Sequence, residues 1–340
     1  MRQALNAAHQ RHELRERLYL EIDADGVSGF GEVDPQPVAL NGDPGIDEVL
    51  DELVGLVIPQ VRDMVRHEGA LPSWSRLGRL AGPRRASNPA LALVEMALLE
   101  RELRVAGRSI KDLWPPVMAT PRQVTVSLIG NDAWSIPPAA ARVRVKADPR
   151  LLNPRDLERL REVSVPVLID LNCSARDDDE VLELLRRVDA VATVTALEQP
   201  YAPGNVADHA RLARRLDVTL SIDEGLRSMA DVRQIVRYRA GEIICVKPAR
   251  VGGLANARTI IAKAREAGLR PYLGGFFESA YARTVHLALA NHSVDEPSDV
   301  GLVDTLETPD SPEVEVVEGA FGLRPSADML QRAQPVTLFD

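Results

Sequence analysis

The sequence predicts an α/β protein in which a closed βα barrel follows a smaller α+β region. Two observations carry this. From about residue 123, short apolar strands alternate with amphipathic helices, the pattern of consecutive βα units and a parallel sheet. Seven strands occur at this pitch, with an eighth expected near SDVGL (298–302), and that number favours a closed barrel over an open doubly wound sheet. The open sheet shares the alternation, but no G-x-G-x-x-G follows the first strand, which weakens its dinucleotide-binding version.

In chain order, RLYLEIDADGVSGFGEV (17–33) reads as two strands around an Asp-Gly turn, a strong hairpin signal. Helical patterns follow at 44–68, with an apolar stripe of Leu50, Leu53, Val54, Val57 and Ile58, and at 88–106. PPVMATPR (115–122) reads as a linker. The barrel strands are QVTVSLIG, RVRVKAD, VPVLIDLN, AVATVTALEQP, VTLSIDE, EIICVKP and LRPYLGGFFES. Helices such as PRDLERLREV, DDEVLELLRRV, VADHARLARRL, SMADVRQIVRYR and LANARTIIAKAREAG lie between them. The expected division is 1–115 for the α+β region and 116–302 for the barrel, with about 303–340 packing back on the former.

Composition excludes several classes of partner. A net charge of −9 and no Lys/Arg block longer than a pair argue against nucleic acid and leave a small-molecule partner. The most apolar helical stretch, LALVEMALLE (91–100), carries Glu95 and is far shorter than the roughly 20 residues a bilayer crossing needs. It reads as a core helix. The polar start MRQALNAAHQRHELRER lacks the apolar core of a signal peptide, and Cys173 and Cys245 form no CxxC pair, so a reducing cytoplasm is expected. Homo-oligomerisation stays open.

At the ends of five consecutive strands a charged residue interrupts the apolar run: Lys146, Asp170, Glu198, Asp223 and Lys247, at separations of 24, 28, 25 and 24. Each step is one βα unit, and barrel active sites lie at the strands' C-terminal face. Three carboxylates without histidine or thiol suit a hard divalent cation, Mg²⁺ first and Mn²⁺ as a substitute. The two lysines would flank a substrate carboxylate held by that cation, and burial beside a cation should push a lysine's pKa down toward the range of a base. Taken singly, each carboxylate could instead be a helix cap, and Lys247 could simply pair with Asp223. The chain has only four lysines against 37 arginines, so a lysine on a strand end is informative.

These residues resemble the enolase superfamily, in particular the o-succinylbenzoate synthase and N-acylamino acid racemase branch of its muconate-lactonizing subgroup. FGE (30–32) resembles the capping-domain signature, RVRVKAD the Lys-x-Lys strand, IDLN and LEQP two metal strands and SIDE a third. KPARVGG (247–253) and GGFFESAYAR (274–283) are the most specific matches. The resemblance implies a modified (β/α)7β TIM-like barrel with an α+β capping domain. It implies Lys146 and Lys247 as the acid/base pair and Asp170, Glu198 and Asp223 as ligands of Mg²⁺. Asn172, Glu224 and Glu278 would be supporting residues, and Ser127 would contact substrate or satisfy its own loop. Two departures stand out: Arg144 replaces the usual first lysine of Lys-x-Lys, and the strand that opens the capping domain is cut back to MRQALNAAHQRHELR, whose His9, Arg11 and His12 read as exposed polar residues.

The implied activity is Mg²⁺-dependent removal of a proton next to a carboxylate, through a metal-stabilised enediolate. The first expectation is the dehydration of o-succinylbenzoate synthase, a lyase of menaquinone biosynthesis. N-Succinylamino acid racemase is the alternative, and a barrel that binds without catalysing is a third. Dipeptide epimerases are disfavoured, because SDVGLVD spaces its two aspartates five apart rather than as Asp-x-Asp.

Overall fold

The computed structural model describes residues 5–6, 11–12, 16–79, 87–129, 134, 136–300 and 314–332. Strands β1 (Leu5–Asn6) and β2 (Arg11–His12) form a two-residue antiparallel pair in the polar stretch where the opening strand was expected to be cut back. His9 lies outside the described residues. β3 (Leu18–Ala24) and β4 (Val27–Val33) make the expected hairpin. Its turn residues, Asp25 and Gly26, have φ of 56° and 72°, the paired positive values that a type I′ turn requires.

The single helix expected over 44–68 is divided: α1 (Ile46–Glu52), a π turn (Leu53–Val57) and α2 (Ile58–Glu68). Pro59 accounts for the interruption, since it lacks an N–H and its ring crowds the carbonyl four residues back; a π turn respaces that contact. A 3-10 turn (Trp74–Arg79) leads toward α3 (Asn88–Val105), which is buried over most of its length, and α4 (Ile110–Leu113) follows. The hairpin lies directly on α3. A Cβ on Gly31 would stand 2.1 Å from the Leu93 carbonyl oxygen, and one on Gly29 2.3 Å from that of Ala97, so the FGE signature marks a strand pressed against a helix backbone.

The barrel sheet contains β5 (Arg122–Ser127), β6 (Ala140–Lys146), β7 (Val167–Asp170), β8 (Val194–Glu198), β9 (Thr219–Ile222), β10 (Ile243–Val246) and β11 (Arg270–Leu273). They are parallel and ordered as in the sequence. Between them run α5 (Pro154–Arg161), α6 (Asp178–Asp189), α7 (Val206–Ala213), α8 (Met229–Tyr238), α9 (Pro248–Val251) and α10 (Leu254–Glu266), and α11 (Ala280–Ser293) follows the last. The loops deliver N-caps: Asn153, Asp177, Ser228 and Ser279 each accept a backbone N–H of the next helix.

The eighth segment is not a regular strand among the described residues, but it closes the barrel. Ser298 donates to Pro121 O and accepts from Gln123 N on one side, while Asp299 N donates to Leu273 O on the other. The protein is thus a TIM-like α/β barrel. Beyond it, β12 (Val314–Val316) and β13 (Leu323–Pro325) pair antiparallel, followed by α12 (Ala327–Arg332). Ala320 O accepts from Ile110 N, and the Phe321 ring lies 5.5 Å from that of Tyr281, so this segment shares its core with α4 and α11.

Candidate active site

Strand register builds the site. Ser127 pairs with Lys146, Lys146 with Asp170, Asp170 with Glu198, and Glu198 with Ser221, so these five form one row around the C-terminal end of the barrel. Side chains alternate faces along a strand, which places Arg144 one layer below Lys146 and Asp223 one layer above Ser221. Asp170, Glu198 and Asp223 are fully buried.

Each carboxylate meets cationic or hydroxyl donors. Lys146 Nζ donates to Asp170 Oδ2 at 3.2 Å and to Asn172 Oδ1 at 2.7 Å. Asn172 Nδ2 in turn reaches Glu224 Oε1 at 3.2 Å. Glu198 Oε2 accepts from Ser221 Oγ at 2.7 Å and Tyr272 Oη at 2.6 Å, and its Oε1 from Arg144 Nη1 at 3.3 Å. Lys247 Nζ donates to Asp223 Oδ2 at 2.8 Å and sits 4.9 Å from the centre of the Phe276 ring, while Arg250 takes Asp223 Oδ1.

Electrostatics divide the acids. Burial, and then the charges of Asp170 and Asp223, push Glu198 up. Burial and the same two neighbours push Glu224 up to about 7. Burial also acts against Asp223, but Arg250, Lys247 and Arg144 outweigh it and hold its carboxyl well below the usual range. At Lys247 burial opposes the charge, but the Asp223 ion pair prevails and its proton is held more tightly than usual. Sequence showed the buried strand, not how near the counter-charge would come.

The expected site residues separate into two groups. Lys146, Asp170, Asn172, Glu224, Arg144 and Glu198 are linked by hydrogen bonds and ion pairs at the barrel mouth, and Asp223 with Lys247 forms a separate pair on the next two strand ends. Ser127 lies in the row, but its hydroxyl accepts from Ile129 N at 3.0 Å, so it satisfies its own loop. Glu278 lines a water-sized cavity with Glu32, Met96, Gly253 and His286, at the seam between β4, α3 and the barrel. Sequence reasoning missed Arg250, Asp43, Gln199 and Asp299. Arg250 and Gln199 stand inside quoted motifs; Asp43 carried no signal, because only folding brings its loop to Arg250, which holds it at 2.9 and 2.7 Å. Gln199 Oε1 receives Asp223 N at 2.9 Å and Gly225 N at 3.0 Å, fixing that strand end.

The donor set suits a hard divalent cation. It is three buried carboxylates on adjacent strands, and the mutual repulsion felt by Glu198 is an excess of negative charge that such a cation would relieve. In the conformation described, their oxygens turn to the lysines and arginines, and no three acidic, histidine or cysteine side chains among the described residues converge closely enough to ligate an ion.

A TIM-like barrel with a buried cluster of acids and lysines at its C-terminal mouth is an enzyme architecture. Comparison with known proteins narrows the class. The family described as Enolase C-terminal domain-like matches residues 139–325. An N-succinylamino acid racemase of Thermus thermophilus is 26% identical over 91% of this chain and 84% of its own. An o-succinylbenzoate synthase of Bacillus subtilis is 27% identical over 82% and 76%. Among solved structures, N-succinyl Arg/Lys racemase from Bacillus cereus superposes with a TM-score of 0.77 at 16% identity, covering 96% of this chain and 93% of that one. Muconate lactonizing enzyme from Pseudomonas putida gives 0.75 at 17%, covering 97% and 96%. The chain belongs to the enolase superfamily and is similar to its o-succinylbenzoate synthases and N-succinylamino acid racemases. Among the described residues, no helix is long and apolar enough to cross a membrane.

Proposed function

We propose that the protein removes a proton from the carbon next to a substrate carboxylate, with Mg²⁺ held by Asp170, Glu198 and Asp223 and Mn²⁺ able to replace it. The observation that carries this is the pairing of Lys146 with Asp170 and of Lys247 with Asp223, with Glu198 between them. The cation, when bound, supplies Lewis-acid stabilisation of the charge that develops on the substrate carboxylate. Everything else falls to the chain. Lys146 Nζ takes the proton, and Asn172 Oδ1 orients that ammonium. Gln199 and Arg250 hold the Asp223 strand end in place.

The reaction we favour is the dehydration of o-succinylbenzoate synthase, with protonated Lys146 returning its proton to the departing hydroxyl. Lys247 is clamped between Asp223 and the Phe276 ring, an arrangement suited to a fixed positive charge beside the substrate. N-Succinylamino acid racemisation is the second reading, supported by the racemase relative; there Lys247 would exchange a proton from the opposite face. Incubation in D₂O with Mg²⁺ tests both, using the cyclohexadiene precursor of o-succinylbenzoate and, separately, several N-succinylamino acids. Dehydration without α-deuterium exchange supports the synthase, exchange without dehydration supports the racemase, and neither activity overturns both. The site would act on a small carboxylate, in the cytoplasm, with no nucleic acid or membrane partner.

A further inference from the structure

Arg144 stands where the resemblance places a lysine, and the structure shows what accommodates it. Its Nη2 donates to Asp299 Oδ2 at 2.6 Å and its Nε to Thr125 Oγ1 at 3.1 Å. The Thr125 hydroxyl donates to the same Asp299 oxygen at 2.8 Å, closing a ring of three groups. Contacts toward the acid cluster are longer, 3.3 Å to Glu198 and 4.0 Å to Asp170. Arg144 and Asp299 are both buried, so solvent does little to weaken either set of contacts.

An arginine is always charged, and its planar fork suits bidentate capture of a carboxylate. Left unanchored beside Glu198 and Asp170, it would compete with a divalent cation for their oxygens. Asp299 lies on the segment that closes the barrel, on the opposite side of Arg144 from those acids in the bonding pattern. Resting on the reading of Asp170, Glu198 and Asp223 as metal ligands, we propose that Asp299 is a positioning residue: with Thr125 it holds the Arg144 charge at the barrel seam and leaves Glu198 and Asp170 available to the cation.

The test is Mn²⁺ affinity, by titration calorimetry or electron paramagnetic resonance, for the full chain and for Asp299→Asn, Arg144→Met and the double variant. Asp299→Asn is expected to weaken Mn²⁺ binding about tenfold, through an Arg144 charge released onto the ligands. In the Arg144→Met background the same change is expected to alter affinity by less than about threefold. Equal weakening in both backgrounds means that Asp299 acts only through its own charge, and it overturns the proposal, as does an unchanged affinity in Asp299→Asn. A parent protein that binds no Mn²⁺ removes the ligand assignment itself, whereas a parent that binds alongside an unaffected Asp299→Asn removes only the role of Asp299. Circular dichroism checks folding. Should Asp299→Asn fail to fold, Thr125→Val removes the hydroxyl from the ring and is expected to weaken Mn²⁺ about threefold; unchanged affinity there also overturns the proposal.

Discussion

Lys247 and Asp223 form a buried ion pair, Nζ to Oδ2 at 2.8 Å, and the same aspartate carries Arg250 on its other oxygen. From sequence, a plain salt bridge and a catalytic role were alternatives for Lys247. The structure shows the bridge, and its partner is one of the acids proposed to hold the metal, so the two alternatives do not exclude each other.

Replacing Lys146 with alanine removes the proposed base. Lys146 keeps 11% of its side chain exposed and contacts Asp170 and Asn172, so the fold should survive. Turnover is expected to fall by at least about 100-fold with the circular dichroism spectrum unchanged. Activity within a few-fold of the parent would remove Lys146 from that role.

Asp223→Asn keeps the shape but leaves Lys247 and Arg250 short of their counter-charge. Divalent metal binding is expected to weaken strongly. The melting temperature should drop as well, since breaking a buried ion pair costs about 3–5 kcal/mol. Calorimetric metal titration and a thermal melt measure the two effects, and an unchanged metal affinity would contradict the ligand assignment.

Gly31→Ala forces a methyl against the Leu93 carbonyl oxygen, 2.1 Å from where the Cβ would lie. The obstacle is helix backbone, so no side-chain rotation relieves it. A loss of about 1–3 kcal/mol is expected from overpacking, read by urea denaturation.

Burial pushes Glu95 from 4.5 up to about 8, against the pull of the Ala255 and Leu254 backbone N–H groups. Burial raises Glu32 to about 7, with Arg17 and Ser279 pulling the other way. A carboxyl whose folded pKa is raised binds its proton more tightly when folded. Its stabilising contribution is therefore complete below the unfolded value and lost as pH rises through the folded one. Thermal stability is expected to decline between about pH 5 and about pH 9, with Glu95→Gln flattening the upper part. A melting temperature that rises with pH across this window would contradict the prediction.

The barrel was legible because parallel strands buried on both faces read as apolar runs, and the charge at the end of each run stands out against them. Counting βα units then placed Lys146, Asp170, Glu198, Asp223 and Lys247 together, since register in a parallel sheet converts a sequence interval into a position on the mouth. What could not be read depended on contacts between distant segments. The closing role of Ser298, the Asp43–Arg250 contact and the anchoring of Arg144 by Asp299 all join residues with no periodic relation, whereas the π turn is local and its signal was Pro59 inside the helical pattern. The proton affinity of Lys247 belongs to the same group, because burial and a counter-charge act in opposite directions and only the 2.8 Å separation decides between them.

The proposed chemistry is tested most directly by the rate at which chelator-stripped protein consumes the cyclohexadiene precursor of o-succinylbenzoate before and after Mg²⁺ is returned. No measurable dehydration until the metal is restored, followed by recovery of turnover, is the predicted result. Dehydration at an undiminished rate in the presence of chelator would contradict metal-assisted proton removal at Asp170, Glu198 and Asp223.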